Sequence, residues 1–290
     1  MSRVWESGTF ACDAVEAIGD APGGWRDEMM QLSSGSLGLR VAWTDMRGLS
    51  VWFYRYGAAA RIVSERVDDS VVFNLVLAAE GEPRCAGRTI PQGVAHVTPV
   101  DASVDYVLRA RTEVLAVVVS RAEADARGWP RALPTLLRVP RGLAPRLVHD
   151  ASAGRRGRIL EELDAVLTDA SACAGRPQRG YEIVRRAEAW HRTLDPAARP
   201  AMTRLAAELG ISVSSLHRAF ESWAGVSPGR YFAIERLHRF RRRLCRNGPR
   251  RGAVTRAALD CGFEHLGRLS ADYRRQFGES PRDTLRSIHA

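Results

Sequence analysis

Short apolar runs separated by Gly and Pro dominate residues 37–120. Each run holds six to eight residues rich in Val, Leu and aromatic side chains, which is typical of β-strands bounded by turns. Several short strands at such close spacing favour a sandwich or a small barrel. The predicted strands are Leu37–Trp43, Ser50–Tyr56, Val71–Ala78, Val104–Arg109 and Val114–Ser120.

The spacing of apolar positions changes after this region. In residues 141–173 they recur every three or four residues, which predicts one or two amphipathic helices. Residues 174–180 (AGRPQRG) combine Gly, Pro and charge and are typical of a linker. Residues 181–290 have helical spacing almost throughout. We therefore expect an α+β multidomain protein, with a β-rich domain in residues 1–140 and an all-α domain at the C-terminus. We also expect the C-terminal domain to fold and to bind its ligand without the β-rich domain.

The helical part contains an internal repeat. FESWAGVSPGRY at residues 220–231 aligns with YRRQFGESPRDT at residues 273–284, an offset of 53 residues. A one-residue insertion upstream reduces the offset to 52. Gly225, Ser227 and Pro228 align with Gly278, Ser280 and Pro281, and Thr203, Ala206 and Gly210 align with Thr255, Ala258 and Gly262. The alignment indicates that one supersecondary unit has been duplicated.

Each copy has the parts of a helix-turn-helix. In the first copy we expect Thr203 to cap a short helix and Gly210 to make the turn, because a left-handed backbone conformation costs Gly little. Ser212 is expected to cap a second helix that ends near Ala224. In the second copy, Thr255, Ala258, Leu259, Gly262 and Phe263 repeat the pattern. Ser227 and Ser280 precede prolines and are expected to cap the helices that follow.

The predicted DNA contacts fall into three groups. In a helix-turn-helix bound to DNA, the first turns of the second helix face the base edges. The outward-facing residues of these turns in both copies are therefore predicted DNA contacts. Between the copies, Gly229–Arg246 is predicted to be a helix of roughly 25 Å, comparable to the roughly 34 Å repeat of B-DNA. From the first copy the residues are Ser212, Ser214, Ser215, His217 and Arg218; from the connector, Arg236, Arg239 and Arg243; and from the second copy, His265, Gly267, Arg268, Ser270 and Arg274.

Several of these residues have alternative interpretations. His217 can also be a surface histidine bonded to phosphate or water. Arg218 can form an ion pair on the helix surface with Glu221 or Glu208. The run RFRRR at 239–243 suits a phosphate-facing or solvated stripe better than base reading.

Charge is divided unevenly along the chain. Residues 1–180 contain 22 Arg and 22 Asp or Glu, whereas residues 181–290 contain 21 Arg and 11 acidic residues, and there is no Lys. A basic domain that also has a nucleic-acid-binding motif favours phosphate binding. The five cysteines have no CxxC spacing, so we predict neither a disulfide framework nor a metal site. The absence of a signal sequence and of a long apolar run predicts a cytoplasmic protein outside the membrane.

The two copies resemble the DNA-binding domain of the AraC/XylS family. The segment LAAELGISVSSLHRAFESWAGVSPGRYFAIERLHRFRRRL resembles its first half and VTRAALDCGFEHLGRLSADYRRQFGESPRDTLR its second half. The closing motif is similar to the branch that contains regulators of benzoate and toluate degradation. The resemblance implies a transcription activator that binds double-stranded DNA and RNA polymerase, with a cupin-like effector domain at residues 1–140 and dimerisation through residues 141–172.

The resemblance also implies which residues contact bases. They are Ser214, His217 and Arg218 in the first copy, and Gly267, Arg268, Ser270 and Ala271 in the second. Ala271 departs from the family pattern, which often has a long polar or basic residue there. Base reading by the second copy is therefore assigned mainly to Arg268.

An effector site is predicted in the β-rich domain. Alternation places Trp52, Tyr54 and Tyr56 on one face of a strand, with Trp43 and Arg40 expected beside them from a neighbouring strand. Aromatic rings near an Arg suit a small aromatic carboxylate, although ordinary core packing explains the rings equally well. The only histidines of this part are His96 and His149, 53 residues apart, so neither a metal site nor any other cofactor is predicted.

Two other classes of function stay open. A cupin-type oxygenase or a DNA-alkylation repair enzyme can carry a helical DNA-binding domain, but Cys12, Cys85 and Cys173 lie too far apart in sequence to suggest a repair centre. A nucleoid protein would bind DNA with little base preference. We expect a regulator without catalytic activity.

Overall fold

The structure is a computed structural model in which residues 5–13, 26–65, 69–98, 104–130, 136–169, 180–195, 198–248 and 250–288 are described. The chain divides into two compact units. The β-rich unit comprises residues 1–29 and 38–176, and the helical unit comprises residues 30–37 and 177–290. Most of the predicted linker lies outside the described residues. No helix in the described ranges has the length and apolar character needed to cross a membrane.

The β-rich unit is built from two sheets. Its strands are β1 (Trp5–Cys12), β2 (Arg26–Gln31), β3 (Leu39–Met46), β4 (Leu49–Tyr56), β5 (Ala60–Glu65), β6 (Ser70–Ala78), β7 (Arg84–Cys85), β8 (Arg88–Thr89), β9 (Val94–Thr98), β10 (Val104–Leu108), β11 (Thr112–Ser120) and β12 (Leu136–Arg138). The larger sheet, β1-β3-β4-β11-β6-β9-β12, is antiparallel throughout. The smaller sheet has the order β2-β5-β10-β7-β8. All five predicted strands are confirmed, and in the described part of the chain both sheets are open.

Helices cover one face of the larger sheet. They are α1 (Arg121–Ala126), α2 (Leu143–Ser152) and α3 (Arg156–Thr168), so the amphipathic region forms two helices. Leu147 of α2 and Leu163 of α3 are buried in one core with Val117 of β11. The apolar stripe that was predicted from the sequence therefore packs inside this unit.

The described part of the helical unit contains seven helices. They are α4 (Gly180–Arg192), α5 (Met202–Glu208), α6 (Val213–Ala224), α7 (Pro228–Asn247), α8 (Ala253–Asp260), α9 (Leu266–Phe277) and α10 (Pro281–Ile288). Ser212 caps α6 as predicted, and Gly225 ends it at φ +77°. Ser227 and Ser280 also accept bonds from the first turns of their helices. The expectation for Thr203 was wrong, because α5 already begins at Met202 after Ala201.

Packing differs from the expectation at one position of the second copy. Leu259 is 62% exposed. The offset of 52 residues aligns Leu209 with Cys261 rather than with Leu259, and the Cys261 side chain is buried beside Phe240 of α7. Cys261 therefore acts as a small apolar core residue.

Candidate nucleic-acid interface

The first recognition helix, α6, begins with a cap formed by its own side chains. The Ser212 hydroxyl accepts the Ser215 amide at 3.1 Å and lies 2.9 Å from the Ser215 hydroxyl. Leu216, Phe220 and Trp223 are buried on the inner face, as predicted. The outer face holds Ser214 and Arg218, which are exposed, and Ser215 and His217, which are half-buried.

Arg218 lies on this outer face without a carboxylate partner in the described part of the chain. Its Nη2 donates to the Ser215 hydroxyl at 3.4 Å, and no ion pair joins it to Glu221 or Glu208 there. The alternative in which an ion pair occupies Arg218 is therefore not observed. Its remaining guanidinium donors face solvent.

The second recognition helix, α9, starts without a side-chain cap. His265 occupies the cap position but its ring bonds no backbone amide of the first turn. The Ser270 hydroxyl donates to the Leu266 carbonyl at 3.0 Å, and the Leu266 side chain is 37% exposed. The predicted contacts of this copy all lie on the exposed face: His265, Gly267, Arg268, Ser270, Ala271 and Arg274.

The two outer faces carry their long basic residue in different turns. The offset of 53 residues aligns Ser215 with Arg268 and Arg218 with Ala271. Arg268 thus lies one turn closer to the start of α9 than Arg218 does to the start of α6. The position that aligns with Arg218 holds only a methyl group.

The three connector arginines are engaged within the protein. Arg239 pairs with Glu235 at 3.1 Å and Arg243 with Asp260 at 2.7 Å. The Arg236 guanidinium lies 4.6 Å from the centre of the Phe263 ring, and burial lowers its pKa. The connector also buries Tyr231, Ile234, Leu237 and Leu244 as predicted.

Sequence reasoning missed a basic groove at the junction of α7 and α8. It has a volume of about 260 Å³. Arg243 lines it together with its partner Asp260, whereas the other four arginines have no carboxylate within 4 Å in the described part of the chain. The signal was present in the sequence as the run RNGPRRG. We use the name basic groove for the site lined by Arg243, Arg246, Arg250, Arg251, Ala253, Arg256 and Asp260.

A hydrogen bond joins the segment before the first helix-turn-helix copy to the second copy. The Arg199 guanidinium, which precedes α5, donates to the carbonyl of Gly262 in the turn between α8 and α9. Gly262 has φ +71°, as the repeat predicts from Gly210 at φ +68°. The turn of the second copy is therefore tied to the segment that precedes the first copy.

The aromatic row of the β-rich unit has the predicted shared face. Ring centroids lie 5.7 Å apart for Trp43 and Trp52, 6.2 Å for Trp52 and Tyr54, and 6.1 Å for Tyr54 and Tyr56. Arg40 does not join them. Trp43 lies opposite Trp52, and Arg40 is three residues from Trp43. Because successive residues of a strand point to alternate faces, Arg40 lies on the other face of β3. The structure therefore does not bring Arg40 to this row.

Polar groups continue the row across the sheet. Register places Trp52, Ala116, Asn74 and His96 side by side on one face. From the smaller sheet, Tyr106 reaches this face: its hydroxyl accepts from Asn74 Nδ2 at 3.1 Å and lies 2.5 Å from His96 Nδ1. Burial lowers the pKa of His96 to about 4, so its ring is neutral at pH 7. Sequence reasoning missed Asn74 and Tyr106, whose partners are distant in sequence.

The described residues contain no group of three or more His, Cys, Asp or Glu side chains placed to hold a metal ion. His149 is exposed on α2. Cys12, Cys85, Cys245 and Cys261 form no disulfide with one another, and Cys173 lies outside the described residues.

Known proteins match the helical unit. Residues 205–287 match a family described as a helix-turn-helix domain. The chain is 42% identical over 88 residues to the XylDLEGF operon transcriptional activator of Pseudomonas putida, which is 30% of this chain and 27% of that protein. It is 36% identical over 87 residues to a probable thc operon regulatory protein of Rhodococcus erythropolis, 30% and 26% of the two chains. The match thus spans about a quarter of these relatives.

A solved structure also matches this unit. It is a probable AraC family transcriptional regulator from Rhodopseudomonas palustris, 34% identical, with 37% of this chain and 97% of that chain covered and a TM-score of 0.33. The resemblance stated from the sequence is confirmed over the matched residues: residues 205–287 form a helix-turn-helix domain similar to those of operon transcriptional activators.

Proposed function

We propose that this protein is a sequence-specific transcription activator that reads two successive major grooves of DNA with α6 and α9. The observation that carries the proposal is the duplicated helix-turn-helix, in which both second helices expose their first turns. The 20 residues of α7 span about 30 Å, comparable to one B-DNA repeat of roughly 34 Å. One of the two named relatives is an operon transcriptional activator, which supports activation.

The two helices divide the base contacts. Arg218 on α6 has the free donors for a bidentate contact to guanine, with His217 and Ser214 beside it. On α9, Arg268 takes that role near the start of the helix. Ala271 and the exposed part of Leu266 present apolar surface that suits thymine methyl groups.

Phosphate contacts come from the basic groove. The first helix of a docked helix-turn-helix crosses the DNA backbone, and the groove lies at the start of α8, the first helix of the second copy. Contacts within the protein hold Arg236, Arg239 and Arg243 in place. These three residues therefore line the edge of the surface that faces the DNA phosphates. Arg246, Arg250, Arg251 and Arg256 supply the unpaired charges.

Selection of binding sites from random DNA tests the proposal. We expect an enriched site with two half-sites whose centres lie about 10 base pairs apart. Enrichment of no sequence would identify a nucleoid-type protein and overturn the proposal. Arg250→Ala should reduce the dependence of log K on log salt by about one unit, because each phosphate contact releases about one counterion. Arg138→Ala, an exposed arginine on β12, is the matched control and should leave the slope unchanged.

We also propose that the β-rich unit, as a cupin-like sensor without catalytic activity, binds a small organic effector, with an aromatic carboxylate as the first class to test. The stacked row of Trp43, Trp52 and Tyr54 supports an aromatic ligand. Asn74 and Tyr106 supply neutral hydrogen-bonding groups on the same face, in place of Arg40.

A thermal melting screen of small acids, amines and sugars tests the effector. A ligand at a hundredfold excess over Kd stabilises the folded state by about 2.7 kcal/mol. Tyr54→Ala should weaken the shift, and Arg40→Ala should leave it intact because Arg40 lies on the opposite face. If no compound shifts the melting temperature, the regulator is controlled by its concentration or by a protein partner.

We also propose that the protein contacts RNA polymerase and that it forms a homodimer. The inner faces of α2 and α3 pack in the core, so a homodimer would use their outer faces, where Val148 is 41% exposed. Val148→Glu should convert a dimer to a monomer in sedimentation. An unchanged sedimentation coefficient would remove this surface from the proposal.

A further inference from the structure

Gln276 is a fully buried polar residue at the end of α9. Its exposed fraction is 0%. Its Nε2 donates to the carbonyls of Gln31 at 2.9 Å and Ser33 at 3.1 Å, and its Oε1 accepts from Arg230 Nη2 at 2.6 Å. Both amide protons are thus bound by a chain segment more than 240 residues away. A buried amide needs such partners, because an unsatisfied donor away from water is destabilising.

The same segment binds the backbone of α9. The last four carbonyls of a helix have no partner within the helix. The Gly35 amide donates to the carbonyls of Arg275 at 3.3 Å and Gln276 at 3.1 Å, and Gln31 Nε2 lies 3.2 Å from the Gln276 carbonyl. Residues 30–37 therefore act as a cap on the end of the second recognition helix.

The segment is also anchored to α7. The Gln31 carbonyl accepts from Nε2 of His238, which is 1% exposed, at 3.3 Å. Burial lowers the pKa of His238 to about 3, so the neutral ring keeps the proton on the nitrogen that donates. The His238 ring meets the Phe277 ring edge-on at 4.9 Å. One carbonyl thus links α7 to α9.

Internal bonds fix the shape of the segment. Gln31 Nε2 lies 2.6 Å from the Gly35 carbonyl and 3.0 Å from the Ser33 carbonyl. Gly35 has φ +103°, which other residues rarely adopt, although a Cβ there would meet nothing within 4 Å. Substitution of Gly35 therefore tests the backbone conformation without a steric clash.

We infer that residues 30–37 position the second recognition helix for base reading, with Gln31 and Gly35 as the positioning residues; we call these residues the bracing segment. The inference rests on the proposed function. Arg268 lies eight residues before Gln276 on one continuous helix, about 12 Å along its axis. A change in the tilt of α9 at Gln276 displaces Arg268, whereas α6 has no contact with the bracing segment among the hydrogen bonds described.

The first experiment needs no DNA. Hydrogen exchange of the full chain is compared for the wild type, Gln31→Ala and Gly35→Ala. We expect faster exchange in residues 30–37 and in the last turns of α9, with α6 unchanged. The matched controls are Gln92→Ala, an exposed glutamine, and Gly93→Ala, at φ +72° with open space for a Cβ, and both should leave α9 unchanged.

The second experiment separates the half-sites. With the selected duplex, Gln31→Ala should weaken binding by about tenfold, the equivalent of one hydrogen bond to a buried amide. On a duplex whose α9 half-site is scrambled, the variant and the wild type should bind equally. General destabilisation would weaken both duplexes alike and overturn the inference.

The two readouts also distinguish this inference from the proposed function. If the wild type selects no DNA sequence, the proposed function fails and hydrogen exchange alone decides the role of the bracing segment. If exchange in α9 is the same in Gln31→Ala, Gly35→Ala and the wild type, the bracing segment does not position α9.

Discussion

The two helix-turn-helix copies stabilise the last turn of their recognition helices with different residues. The offset of 53 residues aligns Trp223 with Gln276, and both side chains are fully buried. Trp223 packs against Tyr181 of α4, with ring centroids 4.5 Å apart. Gln276 instead binds the bracing segment through its amide. Each recognition helix therefore needs support behind its last turn, but the first copy takes it from the adjacent helix and the second from a distant part of the chain.

The difference extends to the outer faces. α6 has its own cap at Ser212 and a group of small polar residues around Arg218. α9 has no side-chain cap, and its exposed face mixes Arg268 with the apolar Leu266 and Ala271. The comparison indicates that duplication kept the backbone of the unit while support and surface chemistry diverged.

The largest effect is expected at the aligned buried pair. Trp223→Ala should lower the free energy of unfolding by about 3–5 kcal/mol, because it leaves a large cavity. Gln276→Ala should cost about 1–3 kcal/mol, because it removes hydrogen bonds and little apolar contact. Urea unfolding of the full chain measures both. Equal costs would show that the two supports are energetically alike.

Base contacts come next. Arg218→Ala and Arg268→Ala should each lose about 1–3 kcal/mol of binding and relax the preference at one or two base pairs, each in its own half-site. Arg243→Ala, whose side chain already pairs with Asp260, should weaken all sequences alike. Competition binding against scrambled duplexes makes the measurement. If Arg218→Ala behaves as Arg243→Ala does, Arg218 is not a base contact.

The caps should differ by a smaller amount. Ser212→Ala removes a side-chain cap and should destabilise the protein by about 1 kcal/mol. His265→Ala removes no cap bond and should change stability by less than about 0.5 kcal/mol. Thermal melting compares the two variants directly. A larger loss of stability for His265→Ala than for Ser212→Ala would show that the side-chain cap belongs to α9 and not to α6.

The smallest effect concerns thymine methyl groups. Replacing thymine by uracil in the α9 half-site should cost about 0.8 kcal/mol for each methyl that contacts Leu266 or Ala271. The same replacement in the α6 half-site should have little effect, since its outer face is polar. Binding to the substituted duplexes measures the difference. Equal losses of binding in the two half-sites would show that Leu266 and Ala271 do not contact thymine methyl groups.

Local features of the structure could be predicted from the sequence. The start and end of α6 follow from Ser212 and Gly225, whose side-chain or backbone chemistry acts within a few residues. The five strands rich in Val and aromatics were found, whereas β1 and the short β7 to β9 have weak patterns. The prediction for Arg40 was wrong because Arg40 lies three residues from Trp43, an odd separation that puts the two side chains on opposite faces of β3.

Distant contacts could not be predicted. The bracing segment is short, and its partner Gln276 lies 245 residues from Gln31, so no periodicity reveals it. The same contacts bear on the domain boundary, because a fragment from Gly180 onward lacks residues 30–37. The basic groove was missed since its arginines come from two helices and the turn between them.

The length of α7 restricts how the binding sites of this protein can diverge. Each residue rotates an α-helix by about 100° and adds about 1.5 Å, so a one-residue insertion would turn α9 away from the groove that α6 leaves for it. It would also rotate the buried residues of α7 that follow the insertion, such as Leu244, relative to those that precede it, such as Ile234. Base sequence can drift by single substitutions, but half-site spacing cannot. Sites bound by this protein are therefore expected to vary in sequence while their spacing stays constant.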